Sequence, residues 1–322
     1  MLQLICFSLF ATLFGLSALP AIAADGYPTR PVRLVVPFGA GGGSDFIARA
    51  LAEKLGQELG ASIVVENRPG AGGTLGTALV AQAEPDGYTF LFTSASYVFN
   101  PSFYTNLPYD PVKDFKPITN FAQTPNILVV HPSLPAKSLG ELLALARKRP
   151  GEILAGTGGV GSNIHLTTAL FAYMAKIQLT YVPYKGAGPA QIGLMSGEIP
   201  MLMAGISSAV PFVRSGRMRA LAVTTKQRVA IMPDLPSIHE AGVPGYDKAG
   251  WYALFAPAAV PNPILTRVYQ AAARALKDPK IVKTLAAEGS IVVGNSPADF
   301  TAFVHSELKT WAKLIREMKI SK

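Results

Sequence analysis

The sequence predicts an α/β fold with largely parallel sheets and two domains. Apolar strand-like runs alternate with helix-like periodic runs along the chain. Two glycine-rich turns, Gly39-Ala40-Gly41-Gly42-Gly43 and Gly156-Thr157-Gly158-Gly159-Val160-Gly161, each stand between a buried-strand pattern and a helix start. About 300 residues follow a candidate leader, a length that favours two domains.

The elements follow in order. A strand over 32–38 leads into a helix over 45–59, with Phe46, Ile47, Ala50, Leu51, Leu55 and Leu59 as its apolar face and Asp45 pairing with Arg49 at i,i+4. A strand over 62–66 and the turn Asn67–Gly73 precede a helix that Thr74 would cap. Asp86-Gly87 turns into a strand over 88–93, which ends in Ser94-Ala95-Ser96. The stretch 100–117, rich in Pro, Tyr and Asp, reads as loop. A strand from Asn126 opens a second unit. It continues with a helix over 139–149, the second glycine turn, a helix over 164–176 and a strand over 179–184. Next come the turn Lys185–Gly188 with Pro189 in the following helix, and strands over 199–204 and 219–224. After a loop over 233–245, a strand over 250–256 and the helices beyond Pro261 return to the first unit. Ser296, Pro297 and Asp299 open the last helix, whose apolar stripe is a packing face. The expected division is therefore 1–23 leader, 24–124 and 249–322 domain 1, and 125–248 domain 2.

Residues 1–23 carry no charge and end Ala21-Ile22-Ala23, an A-x-A pattern before Asp25-Gly26. That reads as a secretory signal peptide, and so as an exported protein; the n-region, however, lacks Lys and Arg. The other reading is an uncleaved membrane anchor, against which Gly15, Pro20 and the short run count. Cys6 is the only cysteine, so a chain cleaved after Ala23 has no thiol, disulfide or cysteine-bound metal. The net charge is +9 from 29 Lys and Arg against 20 Asp and Glu, dispersed along the chain. The densest run, Arg147-Lys148-Arg149, suits a solvated helix C-terminus better than a nucleic acid. No cofactor is expected, nor any nucleic-acid partner, and the chain reads as a monomer.

A glycine turn at a helix start leaves backbone N–H groups for an anion, favoured by the helix dipole. Two such turns in separate halves suggest a clamp. The first also imitates a dinucleotide fingerprint, with Gly39, Gly41 and Glu66, but Ser44 stands at the third glycine position. A tight strand–helix turn without a ligand is the plainer alternative for each alone. No G-x-S-x-G elbow occurs, and His131, His165, His239 and His305 lack metal spacing. His165 lies one turn inside its helix, placed either to face a ligand or to pack the helix start.

Several segments together resemble the Bug-type receptors of tripartite tricarboxylate transporters. They are Tyr27–Phe38 followed by glycines and Asp45, Val65–Gly73, Pro85–Thr89, Pro108–Pro111, Val182–Gly186 and Leu221–Thr224, with matches continuing to Trp251 and the C-terminal helix. The resemblance implies two Rossmann-like α/β domains around a cleft, as in type II-like periplasmic binding proteins. It implies a carboxylated ligand held by opposed pincers and delivered to membrane transporter subunits or to a sensor. Carried onto this chain, the first pincer is Phe38, Ala40, Gly41, Gly42, Gly43, Ser44 and Asp45. The second is Thr157, Gly158, Gly159, Gly161 and Ser162, with His165 behind it. Ser94, Ser96, Tyr184 and Ser207 end strands expected to point at the cleft. Gly193 and Ala169 depart from the resemblance, where Asp and Glu are common. The reading is a non-enzymatic carboxylate receptor; the alternative is an exported enzyme acting on an organic acid or its ester.

Overall fold

A computed structural model describes residues 26–40, 43–104, 106–287, 289–318 and 320. The leader expected at 1–23 and the pair Gly41-Gly42 lie outside the described residues. β1 (Val32–Val36) leads to α1 (Gly43–Leu59), then β2 (Ile63–Asn67), α2 (Thr74–Ala81) and β3 (Thr89–Ser94). β1 lies between β2 and β3, parallel to both, an arrangement that the helical crossovers through α1 and α2 permit. The buried face of α1 is Ile47, Ala48, Leu51, Leu55 and Leu59. Phe46, expected on that face, is instead 43% exposed.

Two elements depart from the expected loop at 100–117. α3 (Ser96–Phe103) carries Pro101 inside it, and β4 (Phe115–Val130) begins eleven residues before the expected strand start at Asn126. The prolines hid both. Pro117 sits where the ladder shifts register, and Pro125 sits where β4 changes partners, the positions a strand tolerates them. Along 115–125, β4 pairs with β9 (Ala249–Pro257). From Asn126 onward it pairs with β7 (Met201–Gly205).

Beyond that crossing point lie α4 (Leu139–Lys148), β5 (Leu154–Thr157), α5 (Asn163–Ala175), β6 (Thr180–Pro183), α6 (Ala187–Met195), α7 (Ile206–Arg214) and β8 (Arg219–Val223). β5 runs parallel to β6 and β7. After β9 come α8 (Asn262–Ala275), α9 (Pro279–Ala287), β10 (Ile291–Val292) and α10 (Pro297–Glu317). The strand order is β2-β1-β3-β9-β4-β7-β5-β6, with β8 and β10 also on β4. The sheet is therefore mixed, not largely parallel. Local β–α–β units give the parallel pairs at either end, while β4 and β9, which come together across a long stretch of chain, are antiparallel at the centre.

One buried cluster packs α1 and α8 against β1, β3 and β9. A larger one runs unbroken from β5 and β7 through β4 and β9 to α10. Its aromatic part joins Trp251, Phe255 and Phe300, with Trp311 edge-on to Phe99 at 4.7 Å between ring centres. α10 starts as expected, the Ser296 hydroxyl accepting from the Asp299 N–H. Near its end, the Tyr173 hydroxyl of α5 donates to Glu317.

Candidate functional site

The first wall of the central cleft is the start of α1. α2 packs close behind it because Gly76 has no side chain: a Cβ there would lie 2.6 Å from the Arg68 carbonyl and 2.9 Å from Pro37 Cα. The Phe38 ring rests over Gly73. Asn67 Nδ2 donates to the Phe38 carbonyl at 3.0 Å, and Arg49 donates both to Asn67 Oδ1 and to Asp45 Oδ1. Asp45 is thus buried and paired with Arg49, as its spacing predicts.

The second wall is the turn after β5. Gly159 and Gly161 have φ of 106° and 75°, a region that side-chain-bearing residues rarely adopt. The Ser162 hydroxyl accepts from the His165 N–H and caps α5. His165 Nδ1 accepts from the Gly161 N–H at 3.1 Å, and its ring lies edge-on to Tyr181. His165 therefore holds the turn from behind. Phe103 of α3 approaches within 3.3 Å of where a Cβ on Gly161 would stand, so α3 packs against this turn.

Burial keeps the His165 imidazole below its ordinary pKa, and the Gly161 bond needs the neutral ring. As pH falls through the free-imidazole range of about 6.5, the unfolded chain takes up the proton first. Stability that His165 contributes above that range is then lost as pH falls. Thermal unfolding between about pH 7 and 5 should show a steeper loss for the wild type than for His165→Gln. Parallel curves would mean that the folded protein tolerates the charged ring.

Between the walls lies a cleft of about 470 Å³. β4 and β9 form its floor through Thr124, Asn126, Gly250 and Tyr252; the Thr124 and Ser290 hydroxyls are 2.8 Å apart. The starts of α6 and α7 complete it with Ala187, Gly188, Gln191, Ser207 and Ser208, and Gln191 Nε2 donates to the Ser208 hydroxyl. Gly43, Phe46 and Ile47 line the α1 side, and Asn163 the α5 side.

Of the residues singled out in the sequence, Gly43 and Ser207 line this cleft. Phe38, Ala40, Ser44, Asp45, Thr157, Gly158, Gly159, Gly161, Ser162 and His165, in the two turns and the helix starts that follow them, are not part of the lining. Gly41 and Gly42 lie outside the described residues. The Ser94 and Ser96 hydroxyls face each other at 3.1 Å at the end of β3, outside the lining. Tyr184 also lies outside it: its ring packs against Gly193, filling the space a side chain there would need. Burial and the Glu198 carboxylate push the Tyr184 phenol above its usual pKa. Asn126, Asn163, Gln191, Ser208, Tyr252 and Ser290 were not foreseen. The glycine turn at 185–188 was the one local signal for the α6 contribution.

Among the described residues, no group of His, Cys, Asp and Glu is placed to hold a metal ion, and no helix is long and apolar enough to cross a membrane.

A mixed α/β sheet bent about one cleft, with helix N-termini on opposite sides, defines a binding protein of the type II-like periplasmic class. Known proteins give the family. The family described as "Tripartite tricarboxylate transporter family receptor" matches residues 47–320, and the chain belongs to it. Protein BugT of Bordetella pertussis is 34% identical over 311 residues, covering 96% of this chain and 95% of BugT. The structure of R. palustris Rpa4515 with adipate is 37% identical, with a TM-score of 0.84, covering 92% of this chain and 100% of that one. MatC from Rhodopseudomonas palustris with bound malate is 31% identical, with a TM-score of 0.78, covering 90% of this chain and 100% of MatC.

Proposed function

We propose that this chain is a periplasmic receptor that captures a carboxylated metabolite in the cleft and delivers it to membrane subunits of a tripartite tricarboxylate-type transporter or to a sensor. The observation that carries the reading is the pair of helix starts, Gly43 of α1 and Asn163 of α5, that line one cleft. In α5 the first-turn amides ahead of His165 have no partner within the helix, and those are the donors proposed for one carboxylate. The turn Gly39–Gly43 serves the other. Adipate in Rpa4515 and malate in MatC give the ligand class. The leader at 1–23 supports export, and the walls belong to two domains divided near 124 and 248.

The energetics close without a cationic side chain. Micromolar affinity needs about 8 kcal/mol. Hydrogen bonds to a charged group contribute roughly 1.5–3 kcal/mol each, so two carboxylates taking three apiece supply up to about 18 kcal/mol, enough to leave about 8 after association costs of about 4 kcal/mol. The reading makes the protein a carrier and not an enzyme. Thermal-shift measurements against mono-, di- and tricarboxylates should single out one acid that raises the melting temperature, with native mass spectrometry showing one bound copy. Chemical turnover of that acid by the purified protein would overturn the receptor reading in favour of an exported enzyme.

A further inference from the structure

We propose a second small-molecule site in this protein, apart from the cleft, that takes an acid with an apolar tail; it goes beyond the receptor reading and does not depend on it. Two independent observations carry it, a cavity that reaches the core and a cation without a counter-charge.

A pocket of about 470 Å³ lies between the first residues of β4 and the starts of α8 and α10. That volume falls in the range of small-ligand sites, about 300–1,000 Å³. It shares no residue with the lining of the cleft. β4 meets this pocket as far as Ile118 and the cleft only from Thr124, about 20 Å further along the strand. The walls are mostly apolar and run down to the core: Val112 at the rim is 48% exposed, Phe115 3% and Ile118 1%. The ladder from β4 to β9 skips Ile118, a bulge of the kind that re-aims side chains beside functional sites. Four successive residues, Phe115 to Ile118, line one pocket, where a regular strand would turn every second side chain away.

The cation is Lys116. Its Nζ donates to the Val260 carbonyl at 3.1 Å and to Asn262 Oδ1 at 3.4 Å, both neutral. An ammonium has three donors, so one is left over, and Lys116 has no ion-pair partner among the described residues. No acid lines the pocket, and His305, the other titratable residue of its lining, can add only positive charge. The acids nearest in sequence are engaged elsewhere: Asp114 accepts from the Asp110 N–H, and Asp299 accepts from the Ser296 hydroxyl. A half-buried ammonium beside apolar walls is short of both water and counter-charge, and a carboxylate supplies the second. The walls then bury the rest of the molecule. An uncharged chain would bury as much but leave Lys116 unpaired, and an amine of the same length would be repelled.

The test titrates the purified protein with octanoate, octan-1-ol and octylammonium and follows its methyl NMR signals. Octanoate should move the Val112, Ile118 and Leu265 signals to saturation, with octylammonium at least about tenfold weaker and octan-1-ol between the two. Lys116→Met keeps the apolar stem and removes the charge. It should weaken octanoate by about tenfold, to the level of octan-1-ol. Ala298→Trp, at an exposed position on the rim, should block entry and hold those signals still with every probe, and it decides the matter if the Lys116 variant does not fold. No saturable movement of the three signals, movement of the Ile47 signal in the cleft instead, equal affinity for the three probes, or wild-type binding in either folded variant would overturn the inference. Each of those results leaves the carboxylate-receptor reading of the cleft standing.

Discussion

Gly159→Val should abolish ligand binding, with the dissociation constant rising by at least about 100-fold while the protein still folds. Gly159 has φ of 106°, and a Cβ there would lie 3.4 Å from the Tyr184 carbonyl. A β-branched residue cannot hold that conformation without strain of about 1–3 kcal/mol. The turn relieves it by moving, and the turn is tied to α5 at two points, the Ser162 cap and the Gly161–His165 bond. The donors proposed for the carboxylate shift with it. Because the strain falls on a surface turn, the loss of stability stays modest and circular dichroism stays native. If the valine variant folds and titrates like the wild type, the second turn does not hold the ligand.

Trp311→Ala should cost about 3–5 kcal/mol of unfolding free energy, the range for removing a large aromatic side chain from a core. Trp311 is 2% exposed and packs edge-on to Phe99. Its Nε1–H donates to Glu307 Oε2, and Lys248 Nζ lies 5.2 Å from the ring centre while pairing with Glu307. Truncation opens a cavity between α10 and α3 and removes the indole cover from a half-buried ion pair. Denaturant titration measures the loss directly; a change under about 1 kcal/mol would show that α10 repacks freely around the gap.

The contrast between these two positions shows what the chain discloses before it folds. The second glycine turn, the α5 cap at Ser162 and the start of α10 at Ser296 were legible because each is a local device, written within a few adjacent residues. The Asp45–Arg49 pair was legible for the same reason. Phe46 was misplaced because helical periodicity marks an apolar stripe without saying where the core beneath it ends; at the first turn of α1 the stripe runs out over the cleft. β4 was cut short because Pro117 and Pro125 read as breaks, and only the pairing with β9 shows that the strand continues through them. Asn126 read as an ordinary strand start. Its unsatisfied amide exists only once Thr224 and Gly205 arrive from about 80 to 100 residues downstream. Tyr184 carried the opposite lesson: its place at a strand end suggested the cleft, but Gly193 left a space on the helix behind it, and the ring fills that space.

The position of β9 between β3 and β4 bears on the order in which the chain can be completed. β9 is made after the other strands of the main path, since it spans Ala249–Pro257. Until it emerges, β3 and the first part of β4 each present an open edge, and neither can stand in for the missing strand, because both pair with β9 antiparallel across a full strand width. The sheet therefore closes late in synthesis, after the glycine turns have already been made. A nascent chain of this topology stays incomplete over most of its length, the condition in which a polypeptide can be threaded across a membrane before it folds.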